Sequence, residues 1–143
     1  MIDVIKKIRD IGIVPVVKLD SSEQAVPLGK ALIAGGIPIA EVTFRTDAAE
    51  ASIKRLASEL PEIMVGAGTV TTIDQAKRAW AAGAKFMVTP GFNPNVVRWC
   101  VKNNIPITPG VNSPSQIEQG IELGLSVLKF FPAEQSGGVN MLK

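Results

Sequence analysis

Short apolar runs alternate with longer helix-forming stretches along the whole chain of 143 residues. Short runs rich in Val and Ile are typical of parallel strands that are buried on both faces. Because a strand and a helix recur roughly every 20–25 residues, the pattern predicts successive right-handed βαβ units. An open doubly wound sheet and an incomplete (β/α)8 barrel both fit six such strands, and spacing alone does not decide between them. The apolar runs begin near Ile13, Ile37, Ile63, Phe86, Ile105 and Val127.

Capping residues mark the expected helix boundaries. A hydroxyl residue followed three positions later by Glu or Gln predicts a helix start, and a Pro at the first helical position strengthens that prediction. Glycines are expected where helices end. The last residues, Gly137–Lys143, resemble the start of a sixth helix. Predicted starts are Ser21–Gln24, Thr72–Gln75, Pro94 and Ser113–Gln116, and predicted ends are Gly35–Gly36, Gly83 and Gly124.

The composition excludes several classes of function. The chain has no histidine and one cysteine, Cys100, so it lacks the ligands of a typical zinc site and the base of a Ser-His-Asp triad. Cys100 is expected to be an inert, packed thiol, since no basic residue lies beside it in the sequence. Acid–base chemistry must therefore use Asp, Glu, Lys, Cys or bound water.

Charge and hydropathy give no sign of a nucleic-acid or membrane partner. The net charge is +2, which is too small to indicate nucleic acid or an acidic membrane surface. No apolar run approaches the roughly 18 residues of a membrane span. The segment Met1–Lys7 lacks the apolar region of a signal peptide, so a cytoplasmic location is the expectation.

Two of the expected strands carry charges where apolar residues are usual. Alternation places Glu41, Thr43 and Arg45 on one face of the second strand. Lys129 lies in the last apolar run, and a lysine there costs free energy unless it is paired or neutral. A strand lysine can also lie at a sheet edge with its amine in water, and a strand glutamate can be an ion-pair partner; both readings stay open.

Glu41 and Lys129 together suggest a chemical use. In an eight-stranded barrel the second and sixth strands face each other across the axis, so both side chains could enter one cavity. Burial and a nearby cation such as Arg45 favour a neutral amine, which can attack a carbonyl group. Glu41 would then move protons.

Five segments together resemble the aldolases of 2-keto-3-deoxy-6-phosphogluconate (KDPG) and 4-hydroxy-2-oxoglutarate (KHG). The segments around Glu41 and Lys129 are the most specific, and the resemblance extends over essentially the whole chain in order. It implies a (β/α)8 TIM barrel of which about six β/α units are present, and a homotrimer. The segments are Ala40–Thr46, Val65–Val70, Val88–Gly91, Ile107–Val111 and Leu128–Glu134.

The resemblance also implies a reaction and roles for single residues. The reaction is class I cleavage of KDPG, as in the Entner–Doudoroff pathway, through a lysine Schiff base and with no metal or cofactor. The small-molecule substrate is a 2-keto acid, and neither nucleic acid nor membrane is implied. Lys129 would form the Schiff base and Glu41 would transfer protons. Arg45 and Thr69 would hold the pyruvate carboxylate, Pro90 and Phe131 would line the pyruvyl pocket, and Lys18 would lie near the substrate.

The end of the chain departs from the family pattern. The segments of strands seven and eight that bind the sugar phosphate in the family are absent from these residues, so 1–143 is expected to form one partial barrel domain. A phosphorylated substrate would then bind poorly to this chain alone. KHG and 2-keto-3-deoxy-6-phosphogalactonate are alternative substrates, and a non-catalytic barrel fragment or small-acid binding scaffold is an alternative of another class.

Overall fold

The computed structural model describes residues 2–143, apart from the side chain of Ile2. Six strands alternate with six α-helices, and two short 3-10 helices lie at Ser22–Gln24 and Gly138–Leu142. The strands are β1 (Val16–Val17), β2 (Ile39–Thr43), β3 (Met64–Gly68), β4 (Met87–Thr89), β5 (Ile107–Val111) and β6 (Lys129–Phe130). The helices are α1 (Ile2–Ile11), α2 (Ala25–Ala34), α3 (Ala49–Glu59), α4 (Ile73–Ala81), α5 (Pro94–Lys102) and α6 (Pro114–Glu122).

The order of the strands decides between the two architectures that the spacing left open. All neighbouring strands pair in parallel, and the order in space is the order in the chain, β1-β2-β3-β4-β5-β6. A doubly wound sheet reverses its strand order at a switch point, and no reversal occurs among the described strands. The prediction of a TIM-barrel fold with six β/α units is therefore confirmed, whereas the prediction of a single partial domain stays a prediction.

Side chains from the two faces of the sheet enter different cores. Ala40, Val42 and Val65 lie in the larger cluster between the sheet and the helices. The opposite, inward face contributes Ile39, Phe86 and Val88 to a smaller cluster. Val4, Ile8 and Ile11 of α1 pack against this smaller cluster, so α1 closes the interior beside the start of β2. The interior is therefore apolar at that end, and the inward polar residue Glu41 lies further along β2.

All four predicted helix starts, including Pro94 as the first residue of α5, are confirmed, although the hydrogen bonds at one of them differ from the expectation. Thr72 accepts a hydrogen bond from the backbone N–H of Gln75 at 3.1 Å, and Ser21 forms the corresponding capping box before α2. At α6, Ser113 is the N-cap residue, but its side chain makes no capping hydrogen bond. The Gln116 side chain there accepts from the backbone of Asn112 instead, at 2.9 Å.

Three elements differ from the sequence expectation. No capping signal indicated α1 or α3, and the N-cap residue of α3, Ala48, has no side chain that could cap it. These helices form because their apolar residues pack against the strands, as Ile53 and Leu56 of α3 do in the larger core. The segment Gly137–Lys143, expected to start a sixth helix, contains only a 3-10 helix, and the helix numbered six is α6, which ends at Glu122.

Candidate active site

Glu41 lies at the centre of β2 with its side chain in the barrel interior. The residue is only 4% exposed, and its partner in the register with β3 is Gly66. A Cβ atom built on Gly68, two residues further along β3, would lie 2.6 Å from Cγ and 2.7 Å from Cδ of Glu41. The carboxylate of Glu41 therefore lies directly over a stretch of β3 that carries no side chains on its inner face.

Glu41 has an unusual electrostatic environment. Its Oε1 atom has no hydrogen-bond partner among residues 2–143, although buried polar atoms are normally paired. Burial raises the pKa of the Glu41 carboxyl above its ordinary value, and the positive charges of Lys129 and Arg45 oppose that rise without cancelling it. The geometry thus provides a carboxyl group that can hold a proton and whose pKa depends on the charge of Lys129.

Lys129 lies at the start of β6 and is half-buried. Its register partner in β5 is Gly110, which presents no side chain toward it. The Nζ atom lies 4.7 Å from the centroid of the Phe131 ring, which is close enough for a cation–π contact. No carboxylate among the described residues forms an ion pair with Lys129. A ligand at this amine would therefore not have to displace a carboxylate partner from among the described residues.

Arg45 follows β2 between two threonines, Thr43 and Thr46, that hydrogen-bond to the backbone at and after the end of β1. The Thr43 hydroxyl donates to the backbone carbonyl of Val17 at 2.9 Å, and the Thr46 hydroxyl donates to that of Leu19 at 2.5 Å. Arg45 is exposed and lines a cleft of about 160 Å³. The tethered loop fixes the backbone of Arg45 near Glu41 while its guanidinium stays open to solvent.

Thr69 follows β3 directly and has a left-handed backbone conformation, with a φ of 55°. A positive φ is rare for a β-branched residue and stores roughly 1–3 kcal/mol of strain. Such strained residues cluster at functional sites. The half-buried Thr69 hydroxyl therefore stands at the C-terminal end of β3, beside the Gly68 that borders Glu41.

The remaining predicted site residues also lie at strand ends. Pro90 follows β4, is half-buried and lines a cavity of about 300 Å³ with Val70 and Phe92. Phe131 follows β6 and is 39% exposed. Lys18 follows β1, and its Nζ atom lies 2.5 Å from a carboxylate oxygen of Asp20 at an exposed position.

The structure brings Lys129 and Arg45 each within electrostatic reach of Glu41. Thr69, Pro90, Phe131 and Lys18 follow their strands at the same edge of the sheet, although Lys18 is engaged with Asp20. In barrel enzymes this C-terminal edge carries the active site. From the sequence, the alternation of Gly66 and Gly68 indicates only that something approaches the backbone closely, and it does not identify Glu41 as the group beside Gly68.

Two further findings concern Cys100 and the helices. Cys100 is fully buried in the larger core, so the expectation of a packed thiol is confirmed. Burial raises the pKa of the Cys100 thiol to about 12, which agrees with the expectation that it is inert. Within residues 2–143, no helix is both long and apolar enough to cross a membrane.

Comparison with known proteins identifies the family. A sequence model of the family described as "KDPG and KHG aldolase" matches residues 4–143. The chain is 48% identical over 140 residues to a 2-dehydro-3-deoxy-phosphogluconate aldolase of Haemophilus influenzae, with 98% of this chain and 66% of that protein covered. It is 49% identical over 142 residues to the protein of the same name from Treponema pallidum, with 99% and 68% covered. The chain thus spans about two thirds of the length of these relatives.

A solved structure agrees as well. The KDPG aldolase of Legionella pneumophila, with pyruvate captured as a covalent carbinolamine intermediate, superposes with a TM-score of 0.87 at 41% identity. The match covers 90% of this chain and 63% of that one. Strand order, sequence and superposition agree, and the chain therefore belongs to the KDPG and KHG aldolase family.

Proposed function

We propose that this chain carries the pyruvate-binding half of a class I aldolase that cleaves KDPG to pyruvate and glyceraldehyde 3-phosphate through a Schiff base on Lys129. The observation that carries the proposal is Glu41, a buried carboxyl group with an unpartnered oxygen that lies within the field of Lys129. An unpaired buried carboxylate costs stability, and perturbed groups of this kind cluster at functional sites.

The chemistry begins at the amine of Lys129. The neutral amine adds to the C2 carbonyl of the 2-keto acid to give a carbinolamine. A proton from solvent then lets the carbinolamine hydroxyl leave as water, which gives the iminium ion. The C3–C4 bond then breaks. Its electron pair moves toward the iminium carbon to form an enamine, and the C4 hydroxyl proton is removed as C4 becomes the aldehyde carbonyl. Protonation of the enamine at C3 and hydrolysis of the iminium by water release pyruvate and regenerate the lysine.

Glu41 suits both proton transfers in this sequence. As a carboxylate it accepts the C4 hydroxyl proton, and as a carboxylic acid it returns a proton to C3 of the enamine. Its raised pKa supports this role, since a carboxyl group with a pKa nearer to neutrality exchanges a proton more readily than an ordinary surface glutamate.

The other site residues supply binding. Arg45 can pair with the substrate carboxylate through two parallel hydrogen bonds, and the Thr69 hydroxyl at the end of β3 adds a further donor. Pro90 and Phe131 provide apolar surface for the pyruvyl methyl group. Lys18 contributes positive charge at the end of β1, where a bound substrate would replace Asp20 as the partner of its amine.

The KHG substrate of the family remains a second candidate, because it shares the 2-keto acid half that this site recognises. The two substrates, and likewise 2-keto-3-deoxy-6-phosphogalactonate, differ in the part that leaves as an aldehyde. Comparing kcat/KM for the three substrates with a chain of the relatives' length would rank them.

We also propose that the protein works as a cytoplasmic homotrimer, for which sedimentation should show a species of three times the 15.1 kDa chain mass.

Exchange of the pyruvate methyl protons in D2O tests the proposed chemistry without the sugar phosphate. The enamine forms and reverts during exchange, so the chain should exchange these protons catalytically, and Lys129→Met should abolish the exchange. Glu41→Gln should slow it by about 10²–10⁴-fold, as loss of a general base does. Glu118→Gln, the same change on an exposed face of α6, is the matched control and should have no effect. A folded chain that binds pyruvate without any exchange would reject the aldolase chemistry and support the alternative of a non-catalytic small-acid binding scaffold.

A further inference from the structure

Beyond Met64, the inner face of β3 is bare because its next two inward positions are glycines. Gly66 and Gly68 are two residues apart, so both would direct a side chain into the barrel interior. Neither has a φ in the left-handed region, so the backbone conformation does not require glycine at either position. Glycine within a strand is unfavourable compared with alanine. The reason for these two glycines must therefore lie in what occupies the space above them.

The two glycines make room for different side chains. A Cβ atom on Gly66 would collide with the ring of Phe86 in the smaller core. For a Cβ atom on Gly68, the three nearest atoms all belong to Glu41, and it would collide with its Cγ, Cδ and Oε1 atoms. Gly66 thus serves the packing of the core, and Gly68 serves the catalytic carboxyl group.

Glu41 has no easy way to avoid such a Cβ atom. The collision includes Cγ, at 2.6 Å, which lies in the middle of the side chain and cannot move without a change of rotamer. The side chain is buried, and the interior beside Ile39 is filled by Phe86 and Val88. A new rotamer would therefore carry the carboxylate away from its present position.

We propose that Gly68 is a positioning residue, whose missing Cβ atom fixes where the Glu41 carboxylate meets the substrate bound to Lys129. The steric part of this proposal depends only on contacts between β2 and β3. The catalytic part rests on the proposed function.

A double-mutant cycle on unfolding tests the steric part with the 143-residue chain itself. Gly68→Ala should lower the urea midpoint when Glu41 is present and leave it unchanged or raised in the Glu41→Ala background. Gly66→Ala is the matched control, and it should lower the midpoint equally in both backgrounds because its clash is with Phe86. If Gly68→Ala prevents folding, the double variant should fold again. An equal loss from Gly68→Ala with and without Glu41 would overturn the proposal.

Proton exchange tests the catalytic part. Gly68→Ala should slow exchange of the pyruvate methyl protons at least tenfold per folded molecule, while borohydride still traps pyruvate on Lys129. Gly66→Ala should lose activity only in proportion to its unfolded fraction. Unchanged exchange in folded Gly68→Ala would overturn the positioning role. Absence of exchange in the unmodified chain would instead reject the proposed function, and the unfolding cycle would still decide the steric contact.

Discussion

At the scale of single residues, burial and charge act in opposite directions on Glu41. Desolvation favours the neutral acid, and the charges of Lys129 and Arg45 favour the carboxylate. The sequence indicated all three residues, because a charge on an apolar strand is conspicuous. It did not indicate the backbone of Thr69 or the role of Gly68, since both depend on which side chains the neighbouring strands bring close.

Glu41 makes a definite contribution to the pH dependence of stability. Because its pKa is raised in the folded state, the fold retains this proton at pH values where the unfolded chain has lost it. Stability from this group is therefore present below the ordinary glutamate pKa and is lost as the pH rises through the raised value.

Glu41→Gln replaces the ionisable carboxyl group with a neutral amide, so the loss of stability at high pH should disappear. At pH 7 we expect the free energy of unfolding of the variant to exceed that of the unmodified chain by about 1 kcal/mol. The difference should shrink as the pH falls toward the ordinary glutamate pKa. Urea titrations at several pH values measure it, with Glu118→Gln on an exposed face of α6 as the control. The opposite trend, in which the stability of the variant relative to the unmodified chain falls as the pH rises to 7, would contradict the prediction. It would show that the fold stabilises the Glu41 carboxylate.

At the scale of elements, local signals predicted those helices whose caps involve side chains. The capping box at Thr72 and the Pro at the start of α5 are readable from sequence because they act within one turn. The helix α3 lacks such a cap and depends on packing of Ile53 and Leu56 against the strands. Tertiary packing of this kind is not visible in a local pattern.

Two N-cap residues offer a matched comparison. Thr72→Ala removes a hydrogen bond to the backbone of Gln75 and should lower the free energy of unfolding by about 1 kcal/mol. Ser113→Ala should cost clearly less, because the Ser113 side chain makes no capping hydrogen bond. Urea unfolding of both variants measures the difference. Equal losses would mean that the caps act through something other than these hydrogen bonds.

At the scale of the whole molecule, the strand order could not be obtained from spacing. The same six βαβ signals fit two architectures, and only the pairing of each strand with its successor selects the barrel. This order leaves β1 and β6 as the end strands of the described sheet. Val16 on β1 is 55% exposed, and an open strand with apolar side chains is a template for association.

We therefore expect the isolated chain to associate through the β1 edge as its concentration rises. Val16→Lys should reduce this association, because a charge on an edge strand opposes strand pairing. Ile121→Lys is the control, since Ile121 is 64% exposed on α6 and away from any strand edge. Light scattering across a concentration series measures the effect. An equal reduction by both substitutions would indicate general apolar adhesion and not edge pairing.

The most direct test of the account is chemical capture of Lys129. The chain is incubated with pyruvate, reduced with borohydride and digested, and the peptides are weighed, with Lys129→Met as the control. We predict one reduced pyruvate adduct on the peptide that contains Lys129, and no adduct in the control. A folded chain without an adduct, or with adducts spread over exposed lysines such as Lys77 and Lys102, would contradict the assignment of Lys129 as the Schiff-base residue.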